Sequence, residues 1–144
     1  MEPQIIKGAA MKYLIVLSAL LFTAGCASTP ISSDQASAVP SERLYAHSQQ
    51  STASVPVQVT RDKGGFDNRF CQVQLLVGNE KAAVMEPGET TQVWVEPGKH
   101  IFGAEDVSSL CGFGRVETIA DASRTSPTAL RISFPLNGGL RISQ

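Results

Sequence analysis

The side chains best suited to acid–base or metal chemistry are a histidine and three carboxylates in the second half of the chain. His100 follows a Pro-Gly pair, Glu105 and Asp106 are adjacent, and Glu117 comes later. A metal would need more His, Cys or carboxylate ligands, and the other histidine, His47, is far away in the sequence. We predict no catalytic centre, no metal and no cofactor. The alternative is an enzyme with a cryptic site near His100, Glu105 and Glu117.

The composition narrows the class of protein further. The chain has 144 residues, with 12 Lys and Arg against 13 Asp and Glu, so it has no excess of positive charge for binding phosphates. We therefore expect no nucleic-acid partner. Charged residues make up 17%, and the chain has 12 Gly and 8 Pro, a profile that favours short strands joined by tight turns.

The N-terminal region has the pattern of a secretion signal. Lys12 precedes the apolar run Tyr13–Ala24, and small residues then lead to Cys26. The run is 12 residues long, too short for a helix that crosses a hydrocarbon core of roughly 30 Å. We predict a signal peptide over 1–25, in which 1–10 is an upstream extension because Met11-Lys12 is the more typical start.

The residues before the cysteine, Thr23-Ala24-Gly25-Cys26, resemble the bacterial lipobox. The resemblance implies that the Cys26 thiol is diacylated, that the chain is cut before it, and that the new amine is acylated. Thr23 departs from the usual Leu, and an ordinary signal with an incidental cysteine is the alternative. Ala27 and Ser28 follow instead of an Asp, which implies anchoring in the outer membrane, facing the periplasm.

Two cysteines, Cys71 and Cys111, remain once Cys26 is assigned to lipid. In an oxidising compartment such a pair normally closes as a disulfide. The loop holds about 40 residues, and its closure is worth roughly 3–4 kcal/mol in loop-entropy models. An iron–sulfur cluster is the rival use of three cysteines, but it needs a cytosolic chain and clustered spacing. We therefore predict a Cys71–Cys111 disulfide.

The composition of residues 26–54 predicts a lipidated cysteine, Cys26, followed by a flexible tether. The segment is rich in Ser, Ala and Gln, and its few apolar residues do not offset the entropy of ordering. One piece, residues 40–47, has a candidate N-cap followed by an early Glu. Leu44 and Tyr45 would dock one helical turn on the domain, and a fully disordered stretch is the equal alternative.

Residues 55–144 predict a small all-β domain. Alternating apolar residues and regularly spaced turns indicate seven or eight short strands, which is typical of an antiparallel, Ig-like β-sandwich. Arg61 and Asp62, at the end of the first strand, are expected to form an exposed ion pair. The expected strands begin near Val55, Cys71, Glu80, Thr90, Lys99, Val116, Leu130 and Leu140.

The turns between these strands set their expected register. Gly78-Asn79 is a two-residue hairpin loop that pairs Leu75 with Ala82 and Val73 with Val84. Glu-Pro-Gly occurs at 86–88 and at 96–98, and it suits a type II turn. The apolar residues of the last two strands share one face only if the loop between them has an odd number of residues. We therefore expect three residues, 137–139, with a left-handed Gly.

A wider resemblance covers most of residues 40 to 144. The pattern is similar to a group of small, uncharacterised proteobacterial lipoproteins and, in its strand–Pro-Gly–strand portion, to Ig-like envelope and carbohydrate-surface modules. The resemblance implies an architecture and no catalytic residue. It rests on Val59-Thr60-Arg61-Asp62, Cys71, Gly88-Glu89, Pro97-Gly98-Lys99-His100, Cys111-Gly112, Glu117 and Leu130-Arg131-Ile132.

Three aromatic residues are candidates for contact with a partner. Trp94 is on the polar-facing side of its strand, and exposed tryptophans are enriched at recognition sites. The competing interpretation covers Trp94 with the tether or the Phe66–Phe70 loop. Phe66 and Phe113 lie in glycine-rich loops that we expect at one end of the sandwich. The residues thus favour a non-enzymatic envelope module, structural or binding a protein or a glycan, anchored to the membrane by lipid.

Overall fold

The computed structural model describes residues 28–65, 68–135 and 138–144, which form nine strands and one 3-10 helix. The predicted signal peptide, Cys26 and Phe66 lie outside these ranges. Within them, no helix has the length and apolar character needed to cross a bilayer. The elements are β1 (Ser37–Ala38), η1 (Ser41–Arg43), β2 (Val55–Arg61), β3 (Val73–Val77), β4 (Glu80–Met85), β5 (Glu89–Val95), β6 (Gly98–Asp106), β7 (Arg115–Ala122), β8 (Thr128–Ser133) and β9 (Arg141–Ser143).

The strands form two packed sheets. One has five strands in the order β1-β5-β2-β8-β9, and the other has four in the order β4-β3-β6-β7. Antiparallel pairing dominates, although β2 pairs with β8 in parallel, as does β1 with β5. The predicted all-β sandwich is therefore confirmed, with nine strands instead of seven or eight. The additional strand, β1, comes from the segment before residue 55.

The core lies between the two sheets and follows the predicted alternation. Val55, Val57 and Val59 of β2 are buried, whereas Pro56 between them is exposed. Burying each large apolar side chain contributes roughly 1.5–3 kcal/mol. The largest apolar side chains that are almost wholly buried are Phe102, Leu75, Met85, Ile132, Val57, Val59, Val73 and Val93.

The hairpin β3–β4 follows the predicted loop but not the predicted register beyond it. Val77 pairs with Glu80 across the Gly78-Asn79 loop, as expected. A β-bulge then shifts the pairing by one residue, so Leu75 lies opposite Ala83. The bulge lets Ala82 and Ala83 both be buried, which strict alternation forbids.

The last hairpin keeps the predicted apolar face but has a longer loop. Ile132 pairs with Ile142, so the strands are joined by seven residues, 134–140, in place of three. Gly138 and Gly139 have φ angles of 80° and 90°, as a left-handed turn requires. The loop is longer because Phe134 and Leu140 leave the strands and pack in the core.

The disulfide prediction is confirmed. Cys71 and Cys111 are bonded with an S–S distance of 2.07 Å, and Cys71 is fully buried. The loop after β6 is held beside Cys71 because Val107 N–H donates to the Gln72 carbonyl oxygen. The Asp106 carboxylate closes the same loop by accepting from the Phe113 N–H. The disulfide thus joins the two loops that were expected at one end of the sandwich.

Most of residues 28–48 pack on the sandwich, which corrects, for this part of the chain, the prediction of a tether over 26–54. Ile31 and Val39 are buried, and Ser28 exchanges hydrogen bonds with Phe134. The expected helical turn is a 3-10 helix whose N-cap, Pro40, makes no side-chain cap. Backbone hydrogen bonds hold this polar segment, and such bonds cannot be predicted from its composition.

Residues 37–48, here called the strap, cover neighbouring edges of both sheets. Ala38 pairs with Thr90 at the edge of β5. Further along, Tyr45 N–H donates to the Ala82 carbonyl oxygen and Ala46 N–H to that of Lys81, both in β4. Edge strands expose unpaired backbone groups that invite association with other chains. The strap therefore closes one side of the sandwich.

Arg61 is buried, which corrects the expected ion pair with Asp62. Asp62 pairs instead with Arg131, at 3.0 Å, and burial raises the pKa of its carboxyl. The Arg61 guanidinium donates to the Met85 carbonyl oxygen and lies over the Phe134 ring. Its Nε and Nη2 have no hydrogen-bond partner among the described residues. Burial lowers the pKa of Arg61 to about 10.

Replacing this buried cation by an apolar side chain of similar size is expected to stabilise the domain. Arg61→Met keeps the packing volume and removes the desolvation cost, so the free energy of unfolding rises by about 1 kcal/mol or more. Urea denaturation followed by fluorescence measures the change. Arg61→Ala, which leaves a cavity, is the control and should lower the stability. Equal losses in both variants would contradict the interpretation.

Candidate binding groove

The outer face of the five-stranded sheet presents Trp94. Val55 and Val95 are paired and point into the core, so the next pair along, Pro56 and Trp94, points outward. Gln58 and Gln92 form the following outward pair. The predicted orientation of Trp94 is therefore confirmed, and its side chain is half-buried.

A groove of about 590 Å³ runs beside Trp94. Its floor is formed by the outward residues of β2 and β5, and its far wall by the loop between β7 and β8. The described residues that line it are Gln50, Ser54, Val55, Pro56, Gln58, Gln92, Trp94, Ser123, Arg124, Pro127 and Thr128.

The chain before β2 builds the near wall. Trp94 N–H donates to the His47 carbonyl oxygen at 2.8 Å, and His47 Nδ1 lies 3.1 Å from the Trp94 carbonyl oxygen. His47 adopts a φ of 61°, a left-handed conformation that turns the chain along the edge of β5. Ser51 and Ser54 then form a compact turn through reciprocal hydrogen bonds.

The groove carries little charge. Among the lining residues that the structure describes, none is a carboxylate and Arg124 is the single cation. The Arg124 guanidinium donates through Nη2 to the Ala53 carbonyl oxygen at 2.8 Å, so it ties the two walls together. Gln58 donates to Thr90 Oγ1 and to the Thr91 carbonyl oxygen, which holds its amide against the sheet.

Two smaller depressions adjoin the groove, one across the same face and one beside the loop between β7 and β8. One, of about 330 Å³, shares Gln58 with the Trp94 groove and extends past Thr60 and Arg131. The other, of about 410 Å³, shares Pro127 and Thr128 with it. The three depressions therefore form one track over β5, β2 and β8.

The residues considered for a cryptic enzyme site do not converge. His100 lies on the inward side of β6, where its Nε2 is 2.7 Å from the Glu96 carbonyl oxygen. Glu105 is on the opposite side of the strand, and Glu117 pairs with Arg115. In the described part of the chain, no three His, Cys, Asp or Glu side chains are grouped as metal ligands.

The aromatic candidates differ in their surroundings. Phe113 is half-buried and packs edge-to-face on Phe134, with ring centroids 4.9 Å apart, so it extends the core. Phe66 lies outside the described residues. At Trp94 the neighbouring chain is the segment before β2, and this segment leaves the side chain half open. Residues 68–70, the described part of the other loop considered as a cover, do not line the groove.

Sequence reasoning missed most of the groove. Gln58 and Gln92 occupy the same alternation as Trp94, and this parity is the signal that identifies them as outward residues. The cross-strand pairing of β2 with β5 was not available from the sequence, so the two amides could not be placed together.

The fold and the groove define a class: a disulfide-linked β-sandwich with a weakly charged groove on the outer face of one sheet. No family model matches the chain, and neither the curated proteins nor the solved structures contain a significant match. The resemblance to small lipoproteins stays a prediction from the sequence.

Proposed function

We propose that the chain is a membrane-anchored bacterial lipoprotein whose sandwich is a non-enzymatic binding module of the cell envelope. The observation that carries the proposal is the Cys71–Cys111 disulfide. A disulfide persists in an oxidising compartment, which agrees with export through the predicted signal. It also accounts for two of the three cysteines, and the third, Cys26, comes two residues after the apolar run.

The anchor and the domain have separate roles in this proposal. Several acyl chains, at about 0.8 kcal/mol for each buried CH₂, hold Cys26 in the membrane. The residues after Cys26 favour the outer membrane, with the domain in the periplasm. The groove beside Trp94 gives the domain a concave surface with a central aromatic residue, the usual form of a binding site.

Loss of the anchor is the first test. Cys26→Ser is expected to abolish incorporation of labelled palmitate and to move the protein from the membrane fraction to the soluble fraction, because serine provides no thiol for acylation. The matched control is Ala27→Ser, which keeps the cysteine and should behave as the unaltered chain does. Palmitate retained in Cys26→Ser, or none in the unaltered chain, would refute the lipid anchor.

A further inference from the structure

We propose that the Trp94 groove binds a linear, uncharged oligosaccharide, with the indole ring stacked against the face of one sugar ring. The inference rests on the proposed function as a binding module and specifies its ligand. It does not depend on the lipid anchor, since the groove is formed by residues of the folded domain alone.

Trp94 and two prolines provide an apolar surface on which a sugar ring can stack. Trp94 is half-buried, and its cross-strand neighbour Pro56 is exposed on the same face. Pro127 approaches from the opposite wall. An indole face is electron-rich, and the C–H groups on a sugar face are weakly positive, so the two surfaces attract each other. The two prolines add rigid apolar area beside the ring.

The polar lining matches sugar hydroxyls. Gln50, Gln58 and Gln92 contribute side-chain amides. The amides of Gln50 and Gln92 offer donors and an acceptor, whereas Gln58 offers its oxygen because its nitrogen already donates to the sheet. Hydroxyl groups of Ser54, Ser123 and Thr128 surround them, and those of Ser54 and Thr128 can still accept, since each donates to a carbonyl oxygen of the protein. Sugar hydroxyls both donate and accept, so they can pair with all of these groups. The lining therefore fits a ligand that has many neutral hydroxyl groups.

The electrostatics disfavour charged ligands. Arg124 is the one cation among the described lining residues, and it donates to the Ala53 carbonyl oxygen. These residues therefore include no cluster of cations for a phosphate or a polyanion and no carboxylate for a basic peptide. The adjoining depressions add Asp121 and Arg131, and Arg131 is paired with Asp62.

The position of the groove disfavours an extended peptide. A peptide strand normally binds by adding to the open edge of a sheet, where backbone groups are free. The groove lies on a sheet face, and β2 beneath it is paired with β5 on one side and with β8 on the other. Binding must therefore use side chains, as sugar recognition does.

The length of the track indicates a polymer. The three depressions share residues and together extend across β5, β2 and β8. A single sugar ring would occupy the part beside Trp94 and leave the rest empty. We therefore expect several consecutive rings of a linear chain to contact the face.

The test uses the full chain purified in detergent. Trp94 is the only tryptophan, so its fluorescence reports directly on the groove. The probes are β-1,4-linked hexamers of glucose and of N-acetylglucosamine, the corresponding dimers, and an anionic hexamer of galacturonic acid. We expect at least one neutral hexamer to shift the emission and to bind more tightly than its dimer. The anionic hexamer should bind more weakly than either.

Variants then assign the binding to the groove. Calorimetry should show that Trp94→Ala lowers the affinity for the hexamer by about tenfold or more and that Gln92→Ala lowers it by about threefold. The matched control, Phe70→Ala, removes an exposed aromatic ring outside the groove and should leave the affinity unchanged. Binding that survives Trp94→Ala, or preferred binding of the anionic hexamer, would overturn the inference. Failure of both neutral hexamers in a chain that is still acylated would overturn it and leave the anchor intact.

Discussion

Replacing Cys71 and Cys111 together by alanine is expected to lower the free energy of unfolding by about 4 kcal/mol. The disulfide joins residues 40 positions apart. Without it the unfolded chain has more conformational entropy, and the folded state is less stable relative to it. A domain of this size has only about 5–15 kcal/mol of stability in total. The effect is therefore a large fraction of the whole. Urea denaturation, followed by Trp94 fluorescence, measures it.

Two comparisons separate the covalent effect from lost packing. Cys71 is fully buried, so alanine at this position also removes contacts of the sulfur atom. Reducing the unaltered protein with dithiothreitol opens the same loop and keeps both sulfur atoms. We expect the reduced protein and the double variant to lose similar amounts of stability. A loss below about 1 kcal/mol in both would contradict the stabilising role of the disulfide.

Arg43→Ala is expected to destabilise the domain by about 3–5 kcal/mol. Arg43 donates through Nη1 and Nη2 to the two carboxylate oxygens of Glu89, and this hydrogen bonding raises the pKa of Arg43. Glu89 is 8% exposed, so truncating its partner leaves a buried carboxylate without its hydrogen-bonded cation. Arg43 also donates to the Val84 carbonyl oxygen, so the variant weakens the attachment of the strap.

A double-mutant cycle tests this pair directly. Combining Arg43→Ala with Glu89→Gln should recover part of the loss, because the neutral amide tolerates the absent cation. Glu42→Ala, on the exposed side of the same 3-10 helix, is the matched control and should change the stability by less than about 0.5 kcal/mol. Additive losses from the two substitutions would show that the pair is not coupled.

The strands were predictable because each has a repeating local pattern. Val55, Val57 and Val59 specify the inward face of β2, and Gly88, with a φ of 79°, supplies the left-handed residue of the first Glu-Pro-Gly turn. The bulge between Leu75 and Leu76 was not predictable, because strict alternation cannot show where an additional residue enters a strand. The same limit applies to the loop at 134–140, from which Phe134 and Leu140 pack in the core.

The strap was missed for a different reason. Its composition is polar, and an interpretation based on apolar content predicts disorder. The segment is held by backbone bonds to two sheet edges, by the buried Val39 and by Arg43. These contacts join residues about 40 positions apart, so they become visible only after the sheets have been placed. Such long-range backbone pairing leaves no periodic pattern in the segment itself.

The groove was predictable only at its centre. Alternation in β5 identified Trp94 as outward-facing, since Val93 and Val95 face the core. Gln58 enters the groove because β2 pairs with β5, and Ala129 lies beside Gln58 in the adjoining depression because β8 pairs with β2 in parallel. Parallel pairing between strands so far apart in the chain follows from the whole topology. No local feature of the sequence specifies it.

The mass spectrum of the mature protein from its native membrane tests the central proposal most directly. We expect an N-terminal peptide that begins at Cys26 and carries acyl chains, together with two alkylatable thiols, Cys71 and Cys111, that appear only after reduction. A mature chain that retains residues 1–25 and offers three free thiols without reduction would contradict the anchor, the export and the disulfide together.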